Sequence, residues 1–320
     1  MKRMAVVLIL VLCFVTLSSA AGFAQAPDTV RLLTARPGWQ HGFPWFGMDL
    51  GIWDKNKLKL QHTALDSSRS VMEAFAAGQG DLATINVSIV ANAFFRGVPL
   101  VVVGGVPLSD YVAFTMNPDV KTLKDLKGKK VAVWAVPSEG SIALEHVLKK
   151  DYGYVVNKDF TYVRLPAPNL CTTLQRKEAD AGVVFEPYAS GCLLEGARRI
   201  APRGGISFDP PKMVQSSVII ASPTFLKQKA EVVRRFLRAC RDMNTHLAKN
   251  GNDAINILAK YSGEPKNAVA KSYEDVVFTI AVDLNFHRIM LDQYFEAKML
   301  TQKVSDADMA KLYDLSYLPK

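Results

Sequence analysis

The sequence predicts an α/β protein built as two lobes, and three observations carry that expectation. Strand-length apolar runs alternate with helix-length amphipathic stretches in two separate series. A purely helical stretch follows the second series. The chain has 320 residues, 49% of them hydrophobic and 22% charged, which is enough to give each lobe a core. That composition excludes a disordered chain, a collagen and a coiled coil.

Residues 30–34 (VRLLT) open the first series as a strand. A loop at 35–43 carries Gly and Pro, and 45–53 reads as helical. Leu58-Lys59-Leu60-Gln61-His62 alternates with period two, a half-buried strand. Residues 67–77 form a helix whose start holds Ser67, Ser68 and Ser70, all good N-caps. A strand at 81–85 leads into a helix at 87–96, and 100–103 is a wholly apolar strand. This alternation is the mark of a parallel sheet covered by helices.

A further strand at 110–116 precedes a polar connector at 123–130. The second series then runs as strand 131–136, helix 141–150, strand 160–165, helix 170–177, strand 181–185 and helix 187–194. An apolar strand at 214–221 follows a loop rich in Gly and Pro. From Pro223 the pattern is helical almost to the end, with apolar spacing on one face over 225–249. The most economical topology returns this tail to the first lobe. Lobe one is then 27–115 with 216–320, and lobe two is 116–215. Chain crossings near Met116 and Val214 would form a hinge, with a ligand cleft between the lobes.

The first 24 residues read as a signal peptide. Lys2 and Arg3 precede the apolar run VVLILVLCFV at 6–15, and small residues follow up to Ala24. The run is shorter than the roughly 20 residues that span a bilayer. Cleavage after Ala24 or Ala26 fits, and Pro27 disfavours the second. The protein is therefore expected in the periplasm. Lys and Arg number 39 against 30 Asp and Glu, and the excess shrinks once Lys2 and Arg3 are removed. The charges are scattered, so no nucleic-acid partner is expected.

Three cysteines lie beyond that segment: Cys171, Cys192 and Cys240. Cys171 and Cys192 flank one predicted strand. An oxidising compartment allows them to pair as a disulfide, and three buried free thiols is the alternative reading. No CxxC or zinc-ligand spacing occurs. There is also no phosphate-binding GxxxxGK[ST], no GxSxG, no HExxH and no GxGxxG. The five His are scattered without an i,i+4 pair. No metal, no cofactor and no catalytic residue set is expected, so the chain reads as non-enzymatic.

Several segments resemble one family. Gly51-Ile52-Trp53-Asp54-Lys55-Asn56-Lys57-Leu58 is similar to the glycine-to-leucine opening of periplasmic solute-binding proteins, with Asn56-Lys57 where the family usually has Gly. These proteins serve ABC importers for sulfonates, taurine, nitrate and thiamine pyrimidine precursors. Residues 67–81 (SSRSVMEAFAAGQGD) resemble the family's helix and the turn after it. Arg96-Gly97-Val98-Pro99-Leu100 is similar to another of its turns. Asp125-Leu126-Lys127-Gly128-Lys129-Lys130-Val131 closely resembles the run that opens its second lobe. Ala179-Asp180-Ala181 and Phe185-Glu186-Pro187-Tyr188 resemble a later pair of motifs.

The resemblance implies a type II periplasmic binding fold, with a hinge, an inter-lobe cleft and a helical tail on lobe one. It implies a monomer that captures a small organic solute (a sulfonate, a taurine-like or an aromatic, pyrimidine-like compound) for an inner-membrane permease. An enzyme on the same scaffold, or a ligand-presenting partner of a membrane sensor, are the alternatives.

In a two-lobed binder the ligand meets strand C-terminal ends and the helix N-termini after them, which offer free N–H groups and partial positive charge. Trp39 and His41 follow the first strand, where Trp39 offers a flat wall. Ser67, Ser68 and Arg69 combine hydroxyls with a guanidinium suited to a sulfonate or carboxylate. Asn86 and Ser88 follow the third strand. For Trp39 packing onto lobe one is the alternative, for Ser67, Ser68 and Arg69 helix capping with a solvated Arg is the plainer reading, and for Asn86 and Ser88 the alternative is again capping. Ser138-Glu139-Gly140-Ser141 opens a lobe-two helix, and Gly140 would let a ligand approach the backbone. Glu186 and Tyr188 sit past another strand, with Glu186 either an acceptor for an amine or a cap for its own helix. The aromatics Trp39, Phe43, Trp45, Phe46, Trp134, Phe185 and Tyr188 favour an organic solute.

Overall fold

An alternating apolar stretch becomes strand β1 (Asp28–Thr34), with Val30 and Leu32 fully buried. The structure is a computed structural model that describes residues 26–36, 38–208 and 213–320. The expected signal peptide at 1–24 lies outside the described residues. Helices α1 (Phe43–Asp49) and α2 (Ile52–Lys55) replace the single helix expected over 45–53. The break is at Gly51, whose φ of 63° is left-handed and open to glycine without strain. The chain continues through β2 (Leu58–Ala64), α3 (Ser68–Ala76), β3 (Leu82–Asn86), α4 (Val87–Phe95) and β4 (Val101–Gly105).

Next come the short β5 (Leu108–Ser109), then β6 (Tyr111–Thr115), β7 (Lys130–Val133), α5 (Glu139–Tyr152) and β8 (Thr161–Arg164). They are followed by α6 (Leu170–Gln175), β9 (Ala181–Phe185), α7 (Tyr188–Leu194) and β10 (Arg198–Arg199). Strand β11 (Ser217–Ala221) leads into the long α8 (Pro223–Lys249). Ser222 caps α8 by accepting from the Phe225 N–H at 3.2 Å, and Pro223 fits the first helical position. Helices α9 (Gly251–Ser262) and α10 (Lys266–Ser272), strand β12 (Val276–Val277), and helices α11 (Leu284–Glu296) and α12 (Asp306–Leu312) complete the chain.

Two five-stranded sheets result. The first has order β2-β1-β3-β11-β4, with β1 parallel to β2 and β3, and β11 antiparallel to both its neighbours. The second has order β10-β6-β9-β7-β8, with β7 parallel to β8 and β9, and β6 antiparallel to β9. The α/β, two-lobed expectation is met. One boundary is corrected. Residues 111–115, assigned above to lobe one, pair with β9 and β10 in the second sheet. The first crossing therefore lies before Tyr111 and not at Met116. It went unseen because a buried antiparallel strand looks alike in either sheet. The two crossing segments touch: Ser109 and Val214 exchange two backbone hydrogen bonds at 3.2 Å, and β5 pairs with β12.

Helices α1, α2, α8 and α9 cover one face of the first sheet through Phe43, Phe46, Trp53, Phe236 and Leu258. Helices α3, α4, α11 and α12 cover the other through Phe75, Val90, Met290 and Leu312, in a core continuous with Val131 and Ile142 of lobe two. Helices α6 and α7 close the far face of the second sheet. Each fully buried Leu, Ile, Val or Phe contributes about 1.5–3 kcal/mol. The tail thus packs on lobe one, as the sequence suggests. Among the described residues no helix is long and apolar enough to cross a membrane.

Candidate functional site

Parallel strands end at a common edge in each sheet, so the loops after β1, β3, β7 and β9 gather the polar groups of the cleft. Asn86 ends β3 and precedes α4, and Ser88 lies in the first turn of α4. Glu139 is the first residue of α5 in the other lobe. Its Oε1 accepts from Asn86 Nδ2 at 3.1 Å and from Ser88 Oγ at 3.2 Å. Ser68 donates its hydroxyl to the side-chain Oδ1 of Asn86. Thus Ser68, Asn86, Ser88 and Glu139 form one hydrogen-bonded chain across the lobes. Burial pushes the Glu139 carboxyl up, and the bonds from Asn86 and Ser88 act in the opposite direction.

Other expected residues have structural partners of their own. Ser138 Oγ accepts from the Ser141 N–H at 3.2 Å, and Ser141 Oγ accepts from the Ser138 N–H at 3.0 Å. Both hydroxyls are spent on this reciprocal cap of α5. Gly140 is small for a packing reason: a Cβ there would lie 2.4 Å from the Trp134 ring. Ligand approach is not what that position shows. Ser67 is the N-cap of α3, accepting from the Ser70 N–H at 3.2 Å. Arg69 is exposed.

Trp39 is corrected from cleft wall to core. It is 1% exposed, and its indole N–H donates to Ser272 Oγ at 2.8 Å. Phe46, Tyr273 and Phe278 surround it. A loop aromatic on a curved chain turns inward when the core beside it has room, and sequence does not show that room. Phe43 and Phe46 are core as well. Trp45 of lobe one stays partly exposed, against His62 and Tyr261, and so do Trp134, Phe185 and Tyr188 of lobe two. Trp134 stacks on Tyr111 at 5.7 Å and 11°, with Phe185 edge-on at 5.2 Å.

His41 Nδ1 lies 2.9 Å from Thr84 Oγ1, and burial holds the imidazole down at about 4, so it is neutral. Gln40, which stands between Trp39 and His41 after the first strand, accepts from Ser216 Oγ at 2.8 Å and donates to the Val214 carbonyl at 3.2 Å. It ties the first loop to a crossing segment.

Glu186 serves the start of its own helix, the second of its two readings. Its Oε2 accepts from the Ser190 N–H at 2.9 Å, inside helix α7. Its Oε1 lies 3.4 Å from the Arg199 guanidinium. Arg199 also pairs with Asp275 and, at 2.9 Å, with Asp110. Burial pushes the Glu186 carboxyl up, and the neighbouring Asp275 carboxyl adds to this. Burial likewise pushes Asp110 up to about 6 against the pull of Arg199. This hub joins β6, α7 and β10 to the segment before β12, and nothing in the sequence linked its members. Burial raises the Tyr188 hydroxyl, with the Glu264 carboxyl of the opposite lobe adding to it, and helix α7 packs on α10 there.

Cys171, Cys192 and Cys240 are free and buried. The neighbouring Cys192 thiol, together with burial, pushes the Cys171 thiol up. The two are neighbours, as the sequence suggests, and here they carry no disulfide.

The family model described as NMT1/THI5 like matches residues 40–254. A protein of Escherichia coli (strain K12) named for aliphatic sulfonate binding is 23% identical over 254 residues, 77% of each chain. The crystal structure of the periplasmic aliphatic sulphonate binding protein of Escherichia coli superposes with a TM-score of 0.75 at 20% identity, covering 89% of this chain and 97% of that one. The structure of the desulfurization enzyme DSZB superposes with a TM-score of 0.65 at 14% identity, covering 91% of this chain and 97% of that one. The chain therefore has the two-lobed periplasmic binding fold.

Proposed function

Because the chain belongs to the NMT1/THI5-like family, we propose that it is the solute-binding component of an ABC importer. It captures a small organic solute between its lobes in the periplasm and delivers it to an inner-membrane permease. It acts as a monomer and needs no cofactor. The observation that carries this reading is the pair of inter-lobe contacts. Glu139 meets Asn86 and Ser88 at one place, and α7 meets α10 at another. A solute touching both lobes favours the closed form by its differential affinity, and the closed form is what a permease recognises. Sulfonates, taurine-like compounds and aromatic, pyrimidine-like compounds are the solute classes, the first being what the sulfonate-binding relatives are named for.

An enzyme is the second reading, since DSZB shares the fold. The hydroxyls of Ser138 and Ser141 and one Glu186 oxygen are spent on helix starts, which favours capture over turnover. Small-angle scattering of ligand-stripped protein tests the proposal against a pool of small solutes. A smaller radius of gyration with the solute recovered unchanged is expected. An unchanged radius with every pool, or a solute consumed, would overturn it.

A further inference from the structure

Glu139 is 7% exposed and has neutral partners only: Asn86 and Ser88 donate to it, and among the described residues no Lys, Arg or His ion-pairs with it. The cleft's other buried carboxylate, Glu186, has Arg199 at 3.4 Å. A buried carboxylate without a counter-charge is strongly unfavourable. The Tyr294 hydroxyl is fully buried and lacks a hydrogen-bond partner among the described residues. Burial raises that hydroxyl, and so does the nearby Glu139 charge. Next to Glu139, the Tyr111 ring borders Gly140 and stacks on the partly exposed Trp134. Glu139 also sits in the first turn of α5 and takes the donors at the start of α4. The starts of α4 and α5, two of the helix N-termini that would welcome an anion, are thereby supplied with one.

We propose that the cleft takes a solute bearing a protonated amine, with Glu139 as its counter-charge and the Tyr111–Trp134 stack as its aromatic wall. The inference rests on the solute-capture reading. An ammonium supplies the missing charge, donates to the carboxylate, and is attracted by ring faces. A solute that is only an anion meets the Glu139 carboxylate instead. A zwitterion is admitted if its anionic end lies away from Glu139.

Calorimetry on ligand-stripped protein with matched pairs tests this. The pairs are ethanesulfonate and 2-aminoethanesulfonate, propanoate and 3-aminopropanoate, and benzyl alcohol and benzylamine. The amine-bearing member of at least one pair is expected to bind tighter by on the order of tenfold or more. Glu139→Gln keeps an acceptor oxygen for Asn86 and Ser88, and is expected to abolish the preference. Equal or weaker binding of the amine-bearing members overturns the inference while leaving capture standing. So does a preference unchanged in Glu139→Gln. Binding of no member of any pair overturns it too, and contraction with a solute pool then keeps capture. The wild-type comparison holds whatever the stability of the variant.

Discussion

His41 shows how burial converts a titratable residue into a neutral one. Its folded value of about 4 lies below the free value of 6.5, so the folded state binds fewer protons. Its contribution to stability is complete above pH 6.5 and is lost as the pH falls towards 4. Thermal melts between pH 7 and pH 4 are expected to show a shallower loss for His41→Gln than for wild type. Equal slopes would contradict this. Trp39→Ala should cost about 3–5 kcal/mol in denaturant unfolding, the cost of deleting a core aromatic. A cleft residue would instead change affinity at little cost in stability. The sequence marked His41, Ser138 and Glu186 as polar residues at strand ends, and each lies there. It did not separate ligand contact from helix capping, because the same hydroxyls and carboxylates serve both. Only the partners distinguish them.

At the scale of the element, the N-terminus of α5 is set by its own sequence. The Ser138–Ser141 cap and the Trp134 ring over Gly140 fix where Glu139 points. Ser141→Ala is expected to lower stability by about 1 kcal/mol, measured by urea unfolding. Gly140→Ala should displace Trp134 and cost about 1–3 kcal/mol through overpacking, with a shift in tryptophan fluorescence. An unshifted spectrum would mean that the ring is not held there. Arg199→Met leaves Asp110, Glu186 and Asp275 facing one another, and about 3–5 kcal/mol should be lost. Most strands and helices were legible because their periodicity is strong. The exceptions have local causes. Gly51 splits one helix through a single backbone angle, and β5, β10 and β12 are two residues long, below any periodic signal.

At the scale of the whole molecule, two β-α series and a returning helical tail were enough to announce two lobes. The crossing before Tyr111 was not legible, since it depends on which sheet a buried strand joins. The contacts between lobes were hidden for a related reason. Asn86 and Glu139 are 53 positions apart, and the Arg199 hub reaches Asp275 across 76. Such pairings come from the packing of lobes and not from local pattern. The central claim is capture without turnover. Native mass spectrometry of the protein purified from cells that produce it tests this most directly, with any bound solute released by denaturation and identified. One small organic solute per chain is expected, released intact and bearing an amine. A product released together with its precursor would contradict it and make the protein an enzyme.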